Sequence, residues 1–173
     1  MQGELIMSTK DLFPKAPQEI HTGTEHSSAH YVRKRDYYAI HDQPQGVAAP
    51  VAAALLDDGA IAVFQGAPNA ATASAATGRL GPVYALQPGD LLAVPTGLIF
   101  VRFPTGTAAA SREKQITQAG YELVEIPSYA PQAAWVRART REIADSLANI
   151  PALEQLPDVE NIEPQMLMER HAR

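Results

Sequence analysis

The 173-residue chain contains no cysteine, which excludes a disulfide scaffold, a thiolate zinc or iron–sulfur centre and a cysteine nucleophile. It also lacks a basic excess: 14 Lys and Arg against 19 Asp and Glu give a formal net charge of −5. That is the wrong sign for a protein whose main partner is a nucleic-acid backbone or an anionic membrane, and neither partner is expected. No run approaches the roughly 18 consecutive apolar residues of a membrane-spanning helix. The amino terminus has no basic leader followed by an apolar stretch, so the chain as written is expected to be cytoplasmic. Catalytic signatures are missing as well. Pro104-Thr-Gly-Thr107 lacks the lysine and spacing of a phosphate loop, and no Gly-x-Ser-x-Gly elbow or His-Glu-x-x-His pair occurs.

What remains is 46% apolar residues, enough to bury a core in one domain or two small ones. Residues 1–30 are polar, carry little periodicity and read as a mobile leader. Residues 31–97 read as a β-rich region. Tyr31 to Ile40, rich in aromatic and β-branched residues, suits a single strand. Asp57-Asp58-Gly59 before Ala60-Ile-Ala-Val-Phe64 reads as a hairpin turn, and the small-residue run Ala67 to Gly78 as a tether. Val83–Leu86 and Leu91–Val94, separated by Gln87-Pro-Gly-Asp90, read as two short strands around a tight turn.

From residue 98 to 173 the pattern is more legible. Leu98–Phe103 reads as a strand stopped by Pro104-Thr-Gly106. Thr107 can cap a helix from Ala108 to Ala119, which Gly120 ends. Tyr121–Ile126 and Ala133–Ala138 read as strands. Thr140 can cap a second helix in which Ile143, Leu147 and Ile150 form one apolar stripe. Val159–Ile162 reads as a last strand. The order β-α-β-β-α-β predicts an α+β domain of the ferredoxin-like split βαβ plan. Its antiparallel sheet carries two helices on one face, leaves the other face open and ends in a free tail. Such an open face also suits self-association or docking to another protein.

Three clusters could carry chemistry. His21, Glu25, His26 and His30 invite a metal, but a histidine-bearing polar leader without cysteine reads as solvated surface, and no metal or cofactor is expected. Asp57 and Asp58 read as turn chemistry rather than an acid/base pair. Arg33-Lys-Arg35 beside Tyr31, Tyr37 and Tyr38 reads as the solvated face of a strand rather than a nucleic-acid platform. No catalytic set emerges, and the chain is not expected to be an enzyme.

Three features of the second half carry a resemblance: Val101-Arg-Phe103 with Gly106 after it, Gly120-Tyr121, and Leu153-Glu-Gln-Leu-Pro-Asp-Val-Glu-Asn-Ile-Glu-Pro164. The stretch from Leu98 to His171 resembles the propeptide domain of subtilisin-like serine proteases. The family's catalytic motifs are absent, since no Gly-Thr-Ser-Met occurs and His21-Thr-Gly23 is not His-Gly-Thr. The resemblance implies an inhibitor, and possible folding chaperone, of a subtilisin-like serine protease, acting in cis or in trans. Its open sheet face docks on two protease helices, and its C-terminal tail enters the cleft. In that register Glu163 caps the helix N-termini. Gln165 stands where the family usually has a second acid, so this position brings no charge. Met166, Leu167, Met168, Glu169, Arg170 and His171 form the tail, with Met168 in the apolar fourth subsite and His171 close to the cut. The alternative is a protein-interaction or self-assembly module with no protease partner.

Overall fold

The computed structural model describes residues 11–24, 27–42, 52–68 and 80–169. It is an α+β structure, mostly strands, with short helices. Strands β1 (Glu19–Thr24) and β2 (Ser27–Arg33) form a hairpin, followed by β3 (Tyr37–Ile40), β4 (Ala54–Leu56), β5 (Ile61–Gln65) and β6 (Leu80–Gly81). Then come β7 (Tyr84–Gln87) and the long β8 (Leu91–Arg102). A 3₁₀ turn (Ala109–Arg112) leads into α1 (Glu113–Gln118), β9 (Tyr121–Glu125) and β10 (Ala133–Ala138). Helices α2 (Ile143–Ala148) and α3 (Ile150–Glu154) precede β11 (Asn161–Met168).

Two antiparallel sheets result. Seven strands join in the order β1-β2-β7-β8-β10-β9, with β11 on the other side of β8. The start of β8 (residues 91–93) is flanked by β7 and its end (residues 99–102) by β10, while β11 runs along its other side from residue 93 to residue 102. The far strand β1 also lies against β11, so the sheet curls. A smaller sheet has the order β4-β5-β3-β6.

Alternation along β8 sorts its side chains between two cores. Ala93, Ile99 and Val101 face the main core with Ile116, Tyr121, Val136, Leu147 and Leu153, where the helices pack. Leu92 and Val94, joined by Leu167 of β11, face the small sheet and its Ala39, Leu56, Ile61 and Val63. Beyond that sheet, Phe13 of the N-terminal segment packs on Tyr38 and Ile40.

Several expectations need correction. Residues 19–24 and 27–30 belong to paired strands rather than a mobile leader, because Ile20 and Tyr31 are buried in the main core. The expected single strand from Tyr31 to Ile40 is two strands in different sheets, separated by a turn in which Tyr37 N donates to Lys34 O. A domain boundary at residues 97 and 98 falls inside β8. The strands expected at Leu91–Val94 and Leu98–Phe103 are one, running through Pro95-Thr96-Gly97. Here Thr96, Gly97 and Leu98 oppose the single residue Gln165. The result is a bulge flanked by Pro95 and Pro164, in keeping with the confinement of proline in sheets to bulges and edges. The first helix is shorter than expected and begins as a 3₁₀ turn, and the second, expected to end at Pro151, stops at Ala148 and resumes as α3 with Pro151 in its first turn. Thr140 does not cap α2 directly. Its hydroxyl donates to Asp145 Oδ2 at 2.6 Å and accepts from Glu142 N at 3.3 Å.

The hairpin turn at Asp57–Gly59 and the reversal after Gln87 stand where turn residues put them. Most of the Ala67–Gly78 tether lies outside the described residues. No helix among the described residues is long and apolar enough to cross a membrane.

Candidate functional site

The helices cover one face of the β9-β10-β8-β11 part of the large sheet, because Ile99, Val101, Ala134 and Val136 point toward them. The residues between these point the other way. Glu163, Phe100 and Trp135 are direct cross-strand partners and form one row on that second face. The Phe100 and Trp135 rings lie 5.0 Å apart, tilted by 58°. Both are only half-buried, in contrast to Ile99 and Val101 on either side of Phe100, which are fully buried.

Around the aromatic pair the face is charged. Arg102 pairs with Glu160 at 3.7 Å. Arg137 donates to Glu122 at 2.5 Å, and Arg141 lies 3.4 Å from the same carboxylate. The Arg137 bond foremost holds the Glu122 carboxyl below its usual range. Val124, 42% exposed, extends the apolar strip at the β9 edge. The second sheet covers only the end of the large sheet that bears Leu92, Val94 and Leu167. The face expected to be open is therefore open in part.

The tail residues sit differently from expectation. Glu163 was expected just after the last strand; it lies inside β11, opposite Phe100, and its Oε1 accepts from Asn161 Nδ2 at 3.0 Å. Burial first, and the Glu163 carboxylate second, push the Tyr31 phenol up from its ordinary value. Gln165 is occupied by the bulge, its Oε1 accepting from the Thr96 hydroxyl at 2.8 Å. Met166, Leu167 and Met168 oppose Pro95, Val94 and Ala93. Met166 and Met168 pack on the main core and Leu167 on the second. These three are thus ladder residues and not part of a free tail, because β8 offers them hydrogen-bonding partners and both cores offer them apolar neighbours. Glu169 follows the strand and is exposed, whereas Arg170 and His171 lie outside the described residues.

No family model, curated protein or solved structure matches this chain.

A second cluster lies at the far end of the large sheet. His21 of β1 pairs with His30 of β2, and their rings stack at 4.2 Å with planes 8° apart. Glu19, two residues before His21, shares its face. His26 lies outside the described residues. Asp57 and Asp58 belong to the 3₁₀ turn, as their turn chemistry implied. The basic run divides: Arg33 is buried and paired with Asp11, whereas Arg35 stays exposed.

Sequence reading missed Phe100, Trp135 and the Glu19–His21–His30 grouping. The aromatic pair had a signal, since Phe100 is out of phase with Ile99 and Val101 and so belongs to the opposite face. The histidine pairing needed the hairpin register, which a solvated leader does not have.

Proposed function

We propose that this chain is a propeptide-like inhibitor, and folding aid, of a subtilisin-like serine protease. It docks through the face that carries Phe100, Trp135, Arg102, Arg137 and Glu163. We read residues 98–168 as the ferredoxin-like split βαβ plan. The order β11-β8-β10-β9, with each neighbouring pair antiparallel, supports that reading.

The observation that carries the docking proposal is the partly buried Phe100–Trp135 pair on a helix-free sheet face. Aromatic anchors of this kind dominate interface energetics when a partner excludes water around them. The motif resemblance across residues 98–171 names the partner class. Docking of this kind adds a protein partner without any chemistry on the chain itself, in keeping with the lack of a recognisable catalytic motif.

The ladder revises the tail mechanism. Residues 166–168 would have to leave β8 and two cores to reach a cleft, so the segment proposed to enter it begins at Glu169 and includes Arg170 and His171. Truncation from Met166 would remove core side chains and test folding instead. Truncation after Met168 is the clean variant: it should abolish cleft blockage while leaving thermal unfolding unchanged.

The direct test mixes the purified chain with subtilisin-type proteases and measures residual peptidase activity. Inhibition is expected at micromolar concentration or below. Phe100→Ser with Trp135→Ser should weaken it by at least about tenfold, with far-UV circular dichroism unchanged. Absence of inhibition across such enzymes would overturn the reading. Elution of the chain as a stable dimer, disrupted by the same two substitutions, would instead favour self-assembly through this face.

A further inference from the structure

We infer that Glu19, His21 and His30 form a binding site for a single divalent transition-metal ion of the zinc class, bridging β1 and β2. The site is independent of the docking face. The register of the β1/β2 hairpin creates it: His21 and His30 are direct partners, and Glu19 follows His21 by two residues on the same face. Ile20 and Tyr31 alternate with them and point into the main core, which anchors the backbone beneath all three.

Distances and donor types fit a metal. One ligand atom from each residue lies within 4.8 Å of the other two. His21 Nε2 is 3.7 Å from Glu19 Oε2, and His30 Nε2 is 3.8 Å from Glu19 Oε1. Two ligand atoms each about 2.0–2.1 Å from a tetrahedral zinc lie about 3.3–3.5 Å apart. Closing the gaps to the Glu19 carboxylate takes shifts of a few tenths of an ångström, and the stacked imidazoles, now parallel to within 8°, must turn so that both ring nitrogens aim at the one ion. The side chains of His21 and Glu19 are 69% and 58% exposed, so little packing resists that movement. Two neutral imidazoles and a carboxylate are the borderline donor set that zinc accepts, with water free to complete the tetrahedron.

A second observation points into the same spot. His30 Nε2 is closed off from water yet has no hydrogen-bond partner. Its nearest acidic atom, on Glu19, is beyond hydrogen-bonding distance. A buried polar atom of this kind is normally satisfied, and a cation held between the carboxylate and the two rings would satisfy it. Bound there, the ion would cross-brace the hairpin at the end of the large sheet and stabilise the folded chain by mass action.

The test uses the full chain, free of any affinity tag and treated with chelator, titrated with zinc chloride by calorimetry. One equivalent per chain should bind saturably, and thermal unfolding should move to higher temperature. His21→Ala and His30→Ala should each weaken binding by at least about tenfold, since even the supporting partners of metal ligands cost that much. Glu19→Gln should weaken it as well. His21 is exposed enough that its removal leaves the fold intact, which circular dichroism can verify, so a folding defect in His30→Ala does not rescue the proposal. Absence of saturable uptake, or uptake that both histidine variants retain, would overturn it.

Discussion

Asp11→Asn tests how the N-terminal segment is held on the fold. The Arg33 side chain is only 3% exposed. Its Nη1 donates to Asp11 Oδ2 at 2.9 Å and to the Phe13 carbonyl at 2.8 Å, and its Nη2 donates to Asp11 Oδ1. Neutralising Asp11 leaves a guanidinium withdrawn from water without its counter-charge. Breaking a fully buried pair in this way costs about 3–5 kcal/mol. Asp11 is 23% exposed and Arg33 keeps the Phe13 carbonyl, so roughly half of that, about 1.5–2.5 kcal/mol, is expected. For a chain of this size the loss corresponds to about 3–10 °C in Tm.

Urea unfolding followed by circular dichroism and by emission of the single tryptophan, Trp135, measures it. The pH dependence gives a second handle. Burial pushes the Asp11 carboxyl up, but the bonds from Arg33 and from Phe13 N–H outweigh it and hold the group below its ordinary value of 3.8. The stabilisation is therefore fully present above the unfolded value and is lost as pH falls through the folded one. The wild-type advantage over Asp11→Asn should narrow as pH drops below about 4. A variant within about 0.5 kcal/mol of wild type at neutral pH, or a gap that widens on acidification, would refute the reasoning.

Two further substitutions probe the fold around β8. Gly97 holds φ +92° in the bulge, and a Cβ there would meet Ile143 Cγ1 at 3.3 Å; Gly97→Ala should cost about 1–2 kcal/mol in urea unfolding. The buried Tyr121 hydroxyl donates to the Ser146 carbonyl at 2.5 Å, so Tyr121→Phe should cost about 1–2 kcal/mol in the same assay by leaving that carbonyl unpaired.

Local chemistry wrote much of this fold legibly. The strand at Ala133–Ala138, the strand opening at Tyr121 and the reversals at Asp57–Gly59 and after Gln87 follow from period-two alternation and turn residues, which act over a few positions. Pro95-Thr-Gly97 and Pro164 misled for the same reason. Proline and glycine read locally as breaks, yet β8 pairs with β11 before and after them, and the ladder continues past a bulge that absorbs the positive φ of Gly97. The face proposed for docking was half legible, since alternation sets Phe100 apart from its neighbours, but which end of the face the second sheet covers depends on contacts across the whole chain.

The sequence by itself determined the α+β character of the second half, the element order from Leu98 to Ile162 and the want of any recognisable catalytic motif, because these depend on residue type and short-range periodicity. Only the tertiary structure decided that residues 19–24 and 27–33 join the large sheet and that Met166–Met168 belong to its ladder. It alone brought Glu19, His21 and His30 together. Each of these depends on strand register, and register is set by which apolar faces find one another to bury, a property of the assembled chain rather than of any one segment.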